Sequence, residues 1–367
     1  MKKILKNNLL LFIFLLILNV ISLLNMINAK LINSTYNYAF YKQLLWIILG
    51  YFLIFIISKF KLSKALIKYS NYLYIVSIFL LILVLLIGED INGAKCWLKI
   101  FGFNFQPSEL VKITLTLYFI KIYNNNKIKN INDEFLLICK YFFLTIIPSI
   151  LVFLEPDTGA IINYFFIFIA FLFLSKLHKF WYIIFMLMTF IIVCIFFITY
   201  FFYQDFLIDL IGTSIFYRMD RLINFANNNS YQLENALITI GSSSFFGVGL
   251  NKILLYIPEA PTDFIFAFSI GNYGILSAIL IIISYLIIDI YLVYKSNKFS
   301  YNFKLLTCSF LSLFIFHQFY NIFMNIGLIP IMGIPLPFLS YGGTNTLINF
   351  IFIGLILDNM KRKIKNI

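Results

Sequence analysis

The stretch Tyr256-Ile257-Pro258-Glu259-Ala260-Pro261-Thr262-Asp263-Phe264-Ile265-Phe266-Ala267 decides how this chain is read, because an acid-bearing loop here runs straight into an apolar stretch that continues to Tyr294. About 20 predominantly apolar residues are enough to cross a bilayer as a helix. Two prolines restrict the backbone before Thr262 and Asp263, so the pattern predicts a helix starting at these residues, with their side chains at its N-terminus. A carboxylate is thereby held at a membrane edge. Helix capping explains it on spacing alone. A functional acid explains it equally well, since a carboxylate at the lip of an apolar span is costly unless solvated or paired.

The rest of the chain has the same character. Of its 367 residues 62% are hydrophobic and 12% charged, and its mean hydropathy is +0.95, whereas a soluble domain is about 45–50% apolar. A soluble globule is excluded. Apolar runs of spanning length occupy Leu9 to Ile27, Tyr41 to Ser58, Asn71 to Gly88, Ser108 to Tyr123, Phe135 to Leu154, Ala160 to Ser175, Phe180 to Phe202, Leu305 to Ile326 and Thr344 to Met360. The run after basic Met1 to Lys6 is longer than the apolar core of a signal peptide and reads as the first span. The predicted fold is therefore an all-α polytopic integral membrane protein, a single membrane domain over residues 1–367. It has ten transmembrane helices and a large outward loop between helices 7 and 8. The eighth of the ten runs, Phe264 to Tyr294, is long enough to require a tilt, or a kink at Gly271 or Gly274.

The net charge of +13 does not point to nucleic acid, because the basic residues sit in small groups between apolar runs. One set of loops and ends holds Lys2, Lys3, Lys6, Lys59, Lys61, Lys64, Lys68, Lys121, Lys127, Lys129, Lys140, Lys176, Lys179, Lys295, Lys298, Lys304, Lys361, Arg362, Lys363 and Lys365. That is 20 of the 28 Lys and Arg, with seven on the other side and Lys112 inside a helix. The positive-inside rule places both termini in the cytoplasm. The loops Gly88 to Pro107, Glu155 to Gly159, Tyr203 to Asp263 and Gly327 to Gly343 then face outward, and function is expected there. Cys96, Cys139, Cys194 and Cys308 are scattered without CxxC spacing, and two histidines are too few for a histidine metal cluster.

Several outward stretches can carry chemistry. In Gln106-Pro107-Ser108-Glu109-Leu110-Val111-Lys112, Pro107 and Ser108 start a helix, and Glu109 and Lys112 fall three apart on one face, where an ion pair lets both enter the membrane edge. A cap with a snorkelling lysine explains Ser108 and Glu109 well and Lys112 less well. Glu155-Pro156-Asp157-Thr158-Gly159 is a tight turn for which turn chemistry alone is a strong account. Arg218 and Arg221 share a face if their segment is helical. They could clamp a pyrophosphate or be solvated surface charge. The run from Gly327 to Thr344 is too rich in Gly and Pro to span as a helix, so its backbone must be buried in protein or line a cavity.

Taken together these stretches resemble the SEDS family of shape, elongation, division and sporulation proteins, the RodA, FtsW and SpoVE type. The resemblance covers nearly the whole chain. It rests on the ten runs, Gln106-Pro107-Ser108-Glu109, Glu155-Pro156-Asp157, Tyr231-Gln232, Pro258-Glu259 with Thr262-Asp263-Phe264-Ile265-Phe266-Ala267, and Pro335-Leu336-Pro337-Phe338 with Ser340-Tyr341-Gly342-Gly343. The chain departs from the family pattern at Cys96, where an Arg or small polar residue is usual, and at Gly271-Asn272-Tyr273-Gly274, where an acidic residue is usual.

The resemblance implies a peptidoglycan glycosyltransferase that polymerises lipid II at the outer face of the bacterial cytoplasmic membrane, for cell shape, elongation or division, with a class B penicillin-binding transpeptidase as partner. It implies that Asp263 is the catalytic aspartate. Glu109, Lys112, Lys95, Asp157, Arg218, Arg221, Gln232 and Ser340 are candidate substrate-binding residues. The reaction needs a base for the acceptor hydroxyl and positive charge for the departing lipid pyrophosphate. Lys95, Lys112, Arg218 and Arg221 could supply that charge. No cofactor is required by the motifs, and a divalent cation stands as the alternative source. A lipid II flippase and a non-catalytic scaffold for the transpeptidase are the competing functions.

Overall fold

A computed structural model describes residues 8–91, 94–100, 102–126, 128–155, 157–211, 223 and 230–360. The helices are α1 (Leu9–Ala29), α2 (Ala39–Phe60), α3 (Ser63–Lys68), α4 (Ser70–Ile87), α5 (Pro107–Asn125), α6 (Ile131–Leu154) and α7 (Thr158–Leu174). They continue with α8 (Lys179–Phe202), α9 (Gln204–Ile211), α10 (Tyr231–Ser242), α11 (Ile265–Ser296), α12 (Tyr301–Asn325) and α13 (Gly343–Met360). Seven of them are long and apolar enough to cross a membrane by length and composition. Among the helices of 17 residues or more, α5, α7 and α13 fall outside that set, as do the short α3, α9 and α10. α7 is too short by that measure, while α5 and α13 carry more polar residues, many of them buried.

Local chemistry sets the helix ends. Pro107 occupies the first turn of α5, where its missing N–H costs nothing. Asn130 and Asp133 form a reciprocal capping box on α6, and Asp157 caps α7. Helix packing follows the small residues. A Cβ on Gly50 of α2 would lie 2.1 Å from the Phe350 ring of α13, and one on Gly343 would lie 2.6 Å from Trp46, so these two helices approach closely only because both positions are glycine. α1 packs on α2 and α11, α4 on α5, and α12 on α7 and α11. α8 is the outlier. Its most apolar window is wholly unburied, which suits a helix surrounded by lipid tails.

Two features differ from the sequence expectation. The chain is mostly but not wholly helical, because the segment after α4 forms a three-stranded antiparallel sheet of β1 (Glu89–Ile91), β2 (Ala94–Ile100) and β3 (Phe103–Phe105). Cys96 and Leu98 are buried from β2 while Lys95 and Lys99 are exposed, the period-two pattern of a half-covered strand. In addition, α11 begins at Ile265, with Phe264 at the cap position and no side chain capping it. Asp263 lies in the turn before the helix and does not serve as its cap.

The expected kink is present at Gly274, whose φ of 72° and ψ of −173° break α11. The segment 244–249 fills the break. Val248 and Gly249 N–H groups donate to the Gly271 and Asn272 carbonyls (3.1 and 2.8 Å), while the Ile275 and Leu276 N–H groups donate to the Ser244 and Phe245 carbonyls (3.3 and 3.2 Å). Backbone freed by the kink is thus satisfied within the protein, as an apolar surrounding requires. A Cβ on Gly274 would lie 2.1 Å from the Phe245 carbonyl oxygen, so a side chain there excludes the inserted segment. Asn272, at one departure from the family pattern, donates to Asn25 Oδ1 of α1 (3.0 Å).

Candidate active site

The turn 257–264 is closed by its own backbone, with the Thr262, Asp263 and Phe264 N–H groups all directed to the Glu259 carbonyl at 3.1–3.3 Å. Glu259 adopts a left-handed φ of 53°, a strained state for a residue with a side chain. Neighbouring elements hold it there. Its carboxylate accepts from the Tyr36 hydroxyl (2.9 Å) and the Thr262 hydroxyl (3.1 Å). The Glu259 charge and burial together push the Tyr36 hydroxyl far above its usual range, burial first.

The loop 327–342 lies against this turn, as its Gly and Pro content required. Ser340 Oγ donates to the Thr262 carbonyl (2.6 Å) and accepts from the Leu336 N–H (2.9 Å). The Tyr341 N–H donates to the Pro261 carbonyl (2.8 Å). From α12, Asn321 Nδ2 donates to the Asp263 carbonyl (2.7 Å) and the Ile334 carbonyl (2.8 Å), while Asn325 Nδ2 reaches the Asp263 carbonyl (3.1 Å). Asn235 of α10 adds a bond to the Tyr256 carbonyl (2.8 Å). The backbone of Asp263 is therefore fixed from two elements.

Its carboxyl group is treated differently. Among the described residues no hydrogen-bond donor or cation reaches it. The neighbour is Gly333, with φ of 64°, where a Cβ would sit 3.5 Å from Asp263 Oδ2, so the glycine lets the loop close over the acid. Burial, and then the Glu259 charge, push the Asp263 carboxyl up to about 7. Such a group can take up and release a proton near neutrality.

Asp157 is the opposite case. Its carboxylate accepts from Gln106 Nε2 (2.8 Å), Ser108 Oγ (3.1 Å) and the Ala160 N–H (3.1 Å), so it caps α7 and clasps the start of α5. Beside it Glu155 is fully buried with neither carboxylate oxygen partnered, and burial, then Asp157, push it up to about 8. Glu109 and Lys112 form a buried ion pair at 2.6 Å on α5. A cavity of about 10 Å³ adjoins them, lined also by His317, Pro337 and Asn349; that is room for about one water.

Of the remaining candidates, Lys95 is exposed on β2 and Gln232 is half-buried in the first turn of α10. Ser340 has both hydroxyl roles engaged in clasping the two loops. Arg218 and Arg221 lie outside the described residues, as do the terminal basic clusters. The structure thus gathers Asp263 and Ser340 in one unit and Glu109, Lys112 and Asp157 in another around α5. Sequence reading did not single out Tyr36, Asn235, Asn321 and Asn325, whose partners lie 21 to 223 residues away along the chain. A run of asparagines in apolar helices was the one available signal. Among the described residues no group of three or more His, Cys, Asp and Glu side chains is placed to hold a metal ion.

Comparison with known proteins places this geometry. A family model described as cell cycle protein, of FtsW, RodA and SpoVE, matches residues 3–365. The chain is 31% identical to a probable peptidoglycan glycosyltransferase FtsW of Wigglesworthia glossinidia brevipalpis, over 95% of this chain and 91% of the relative. It is 33% identical to the protein of the same name from Buchnera aphidicola subsp. Schizaphis graminum, over 79% and 81%. Its fold is similar to that of the Thermus thermophilus rod shape determining protein RodA, with a TM-score of 0.65 at 22% identity over 96% and 97% of the two chains. It is also similar to a chain of a peptidoglycan synthase complex that coordinates polymerization and crosslinking, with a TM-score of 0.75 at 20% identity over 97% and 98%. With a family model covering almost its full length and a relative matched nearly end to end, the chain belongs to the FtsW/RodA/SpoVE family.

Proposed function

We propose that the protein is a peptidoglycan glycosyltransferase that polymerises lipid II, with Asp263 as general base. The observation that carries the assignment is the Asp263 carboxyl, fixed through its backbone, reached by no donor among the described residues, and pushed up by burial to about 7. In the reaction the acceptor sugar hydroxyl gives its proton to an Asp263 carboxylate oxygen as its own oxygen bonds to the donor's anomeric carbon. The bond from that carbon to the pyrophosphate breaks, and the electron pair leaves with the lipid pyrophosphate. Developing negative charge on the leaving group calls for cations. Lys112 is bound to Glu109 and Lys95 is exposed, so Lys95, Arg218 and Arg221 are the assigned contributors on the outer side.

The same reading takes the ten helices of 17 residues or more as ten spans of one membrane domain, with residues 203–263 outward and both termini cytoplasmic. Contacts between loops support it. Gln106 meets Asp157 and Thr344, and Tyr36 meets Glu259, all in loops poor in Lys and Arg. At the other end, the Lys121 ammonium meets the Lys68 carbonyl, and the Tyr123 ring packs at a tilt against Tyr301 beside Lys176. A substrate anchored in the outer leaflet by its lipid tail suits a site where the spans meet the outward loops, and a class B penicillin-binding transpeptidase is the assigned partner for crosslinking.

Reconstitution of the full chain with purified lipid II tests the function. Glycan polymer is the expected product. Movement of labelled lipid II across the bilayer without polymer would overturn the enzyme reading in favour of a transporter. For the topology, Lys252→Cys should react with an impermeant maleimide from outside; reaction only after permeabilisation would reverse it.

A further inference from the structure

At the end of the bundle away from Asp157 and Asp263, a groove of about 570 Å³ opens between α4, α5 and α6. This lies within the roughly 300–1,000 Å³ of sites that take small ligands. Its polar end holds Lys121, Lys140, Asn71 and Asn126, and its walls include Tyr118, Leu136 and Phe143. We propose that this groove binds one anionic phospholipid of the inner leaflet, its phosphate between Lys121 and Lys140 and its acyl chains along Leu136 and Phe143.

Charge is the first argument. Lys121 Nζ donates to the Lys68 carbonyl (2.8 Å) and Asn71 Oδ1 (2.6 Å), and Lys140 Nζ to Asn126 Oδ1 (3.1 Å). Both ammonium groups are thus held by neutral oxygens, and among the described residues neither has a carboxylate partner. The acids nearest in sequence are committed elsewhere. Asp133 accepts from the Lys129 and Asn130 N–H groups (3.0 and 3.1 Å), and Glu134 faces the His178 N–H (3.1 Å) and Nδ1 (3.5 Å). Two cations lining one groove, with no carboxylate partner among the described residues, suit a phosphate.

Depth is the second. Lys140 sits about 14 Å along α6 from the helix start, at 1.5 Å per residue. Side chains on a helix lean toward its N-terminus, so the ammonium returns to Asn126 at the loop while its stem lines the groove. The charge is then at headgroup level, with apolar wall below it. Leu136 is 55% and Phe143 62% exposed, which opens the lower groove sideways to the bilayer. A soluble phosphate needs the lysines but not that wall, so the wall selects a lipid. Basic pockets between helices on the cytoplasmic side bind acidic headgroups in this way.

Native mass spectrometry of the purified full chain, titrated with phosphatidylglycerol or phosphatidylcholine, tests the proposal. One phosphatidylglycerol should be retained preferentially. Lys121→Gln and Lys140→Gln should each weaken it about fivefold, and Lys64→Gln, outside the groove, should leave it unchanged. Glycerol 3-phosphate at equal concentration should not displace the lipid; displacement would make this a soluble-phosphate site. Equal retention of both lipids, or undiminished phosphatidylglycerol binding by the double variant, would overturn it. Should the double variant fail to fold, Cys139 in the groove wall gives a second measurement on the parent chain. Site-resolved alkylation of Cys139 by a membrane-permeant maleimide should slow in nanodiscs containing phosphatidylglycerol relative to phosphatidylcholine alone, and equal rates would also overturn the site.

Discussion

Two acidic turns at the same end of the molecule have opposite chemistry. At the α6–α7 turn, Asp157 accepts three hydrogen bonds and ties α7 to the start of α5. At the turn before α11, the Asp263 carboxyl accepts no bond among the described residues, and the residue is positioned through its backbone N–H and carbonyl. A carboxylate saturated with donors contributes stability. One held in place without donors costs stability and keeps its proton chemistry available. Similar residues in similar turns are thus divided by what their neighbours donate.

The strongest test of that division is Asp263→Asn. Lipid II polymerisation should fall by about 10²-fold or more, the scale for loss of a positioned base, while the protein inserts and melts at least as well as the parent. The stability sign follows from the raised carboxyl. Because the folded state keeps this proton up to about 7 and the unfolded chain gives it up near 4, the parent loses stability as pH rises through that window. The Asn variant should lose less. Parent-like polymerisation together with a lowered melting temperature would make Asp263 another Asp157.

Glu109 places a third acid between these extremes, since one of its oxygens is paired with Lys112 and the other is buried without a partner. Lys112→Met should destabilise the fold by about 3–5 kcal/mol, because it strands a buried charge. Adding Glu109→Gln should recover part of the loss. Strictly additive melting shifts in the double-mutant cycle would show that the two residues act independently.

Asp157→Ala removes a helix cap and two further bonds, and an expected loss of about 2–3 kcal/mol should appear in thermal melting. Asp157→Asn should keep most of that stability and most of the activity. An alanine variant that melts like the parent would remove the structural half of the comparison.

The smallest effect concerns Glu259. Polymerisation should rise with pH along a limb centred near 7, since Asp263 must be ionised to accept a proton. Glu259→Gln removes the like charge beside it, so the limb should move to lower pH by less than about one unit. A limb that stays in place would show that burial alone sets the Asp263 carboxyl.

The general layout was legible because a bilayer imposes it. The ten apolar runs fall on the ten longest helices among the described residues, seven of which are long and apolar enough to cross a membrane, and the Gly274 break falls where a long run contained glycine. The small sheet at 89–105 was not foreseen, since its strands are three to seven residues long and too short for a clear period. α11 starts at Ile265, two to three residues after the start expected at Thr262 and Asp263. The prolines marked the turn, but the Glu259 carbonyl gathered the amides of Thr262, Asp263 and Phe264 before α11 could begin.

By itself, then, the sequence determined a mostly helical membrane chain, and from its lysines and turns it offered an expected sidedness and a set of candidate residues: Asp263, Glu109, Lys112 and Asp157. Spanning length, charge placement and turn chemistry are local properties, readable along one chain. Only the tertiary structure decided which acid is saturated and which is free, because that depends on donors such as Gln106, Ser108, Tyr36, Asn321 and Asn325, brought in from distant helices. A carboxyl group's proton affinity is set by burial and neighbouring charge, and both exist only after the chain has packed.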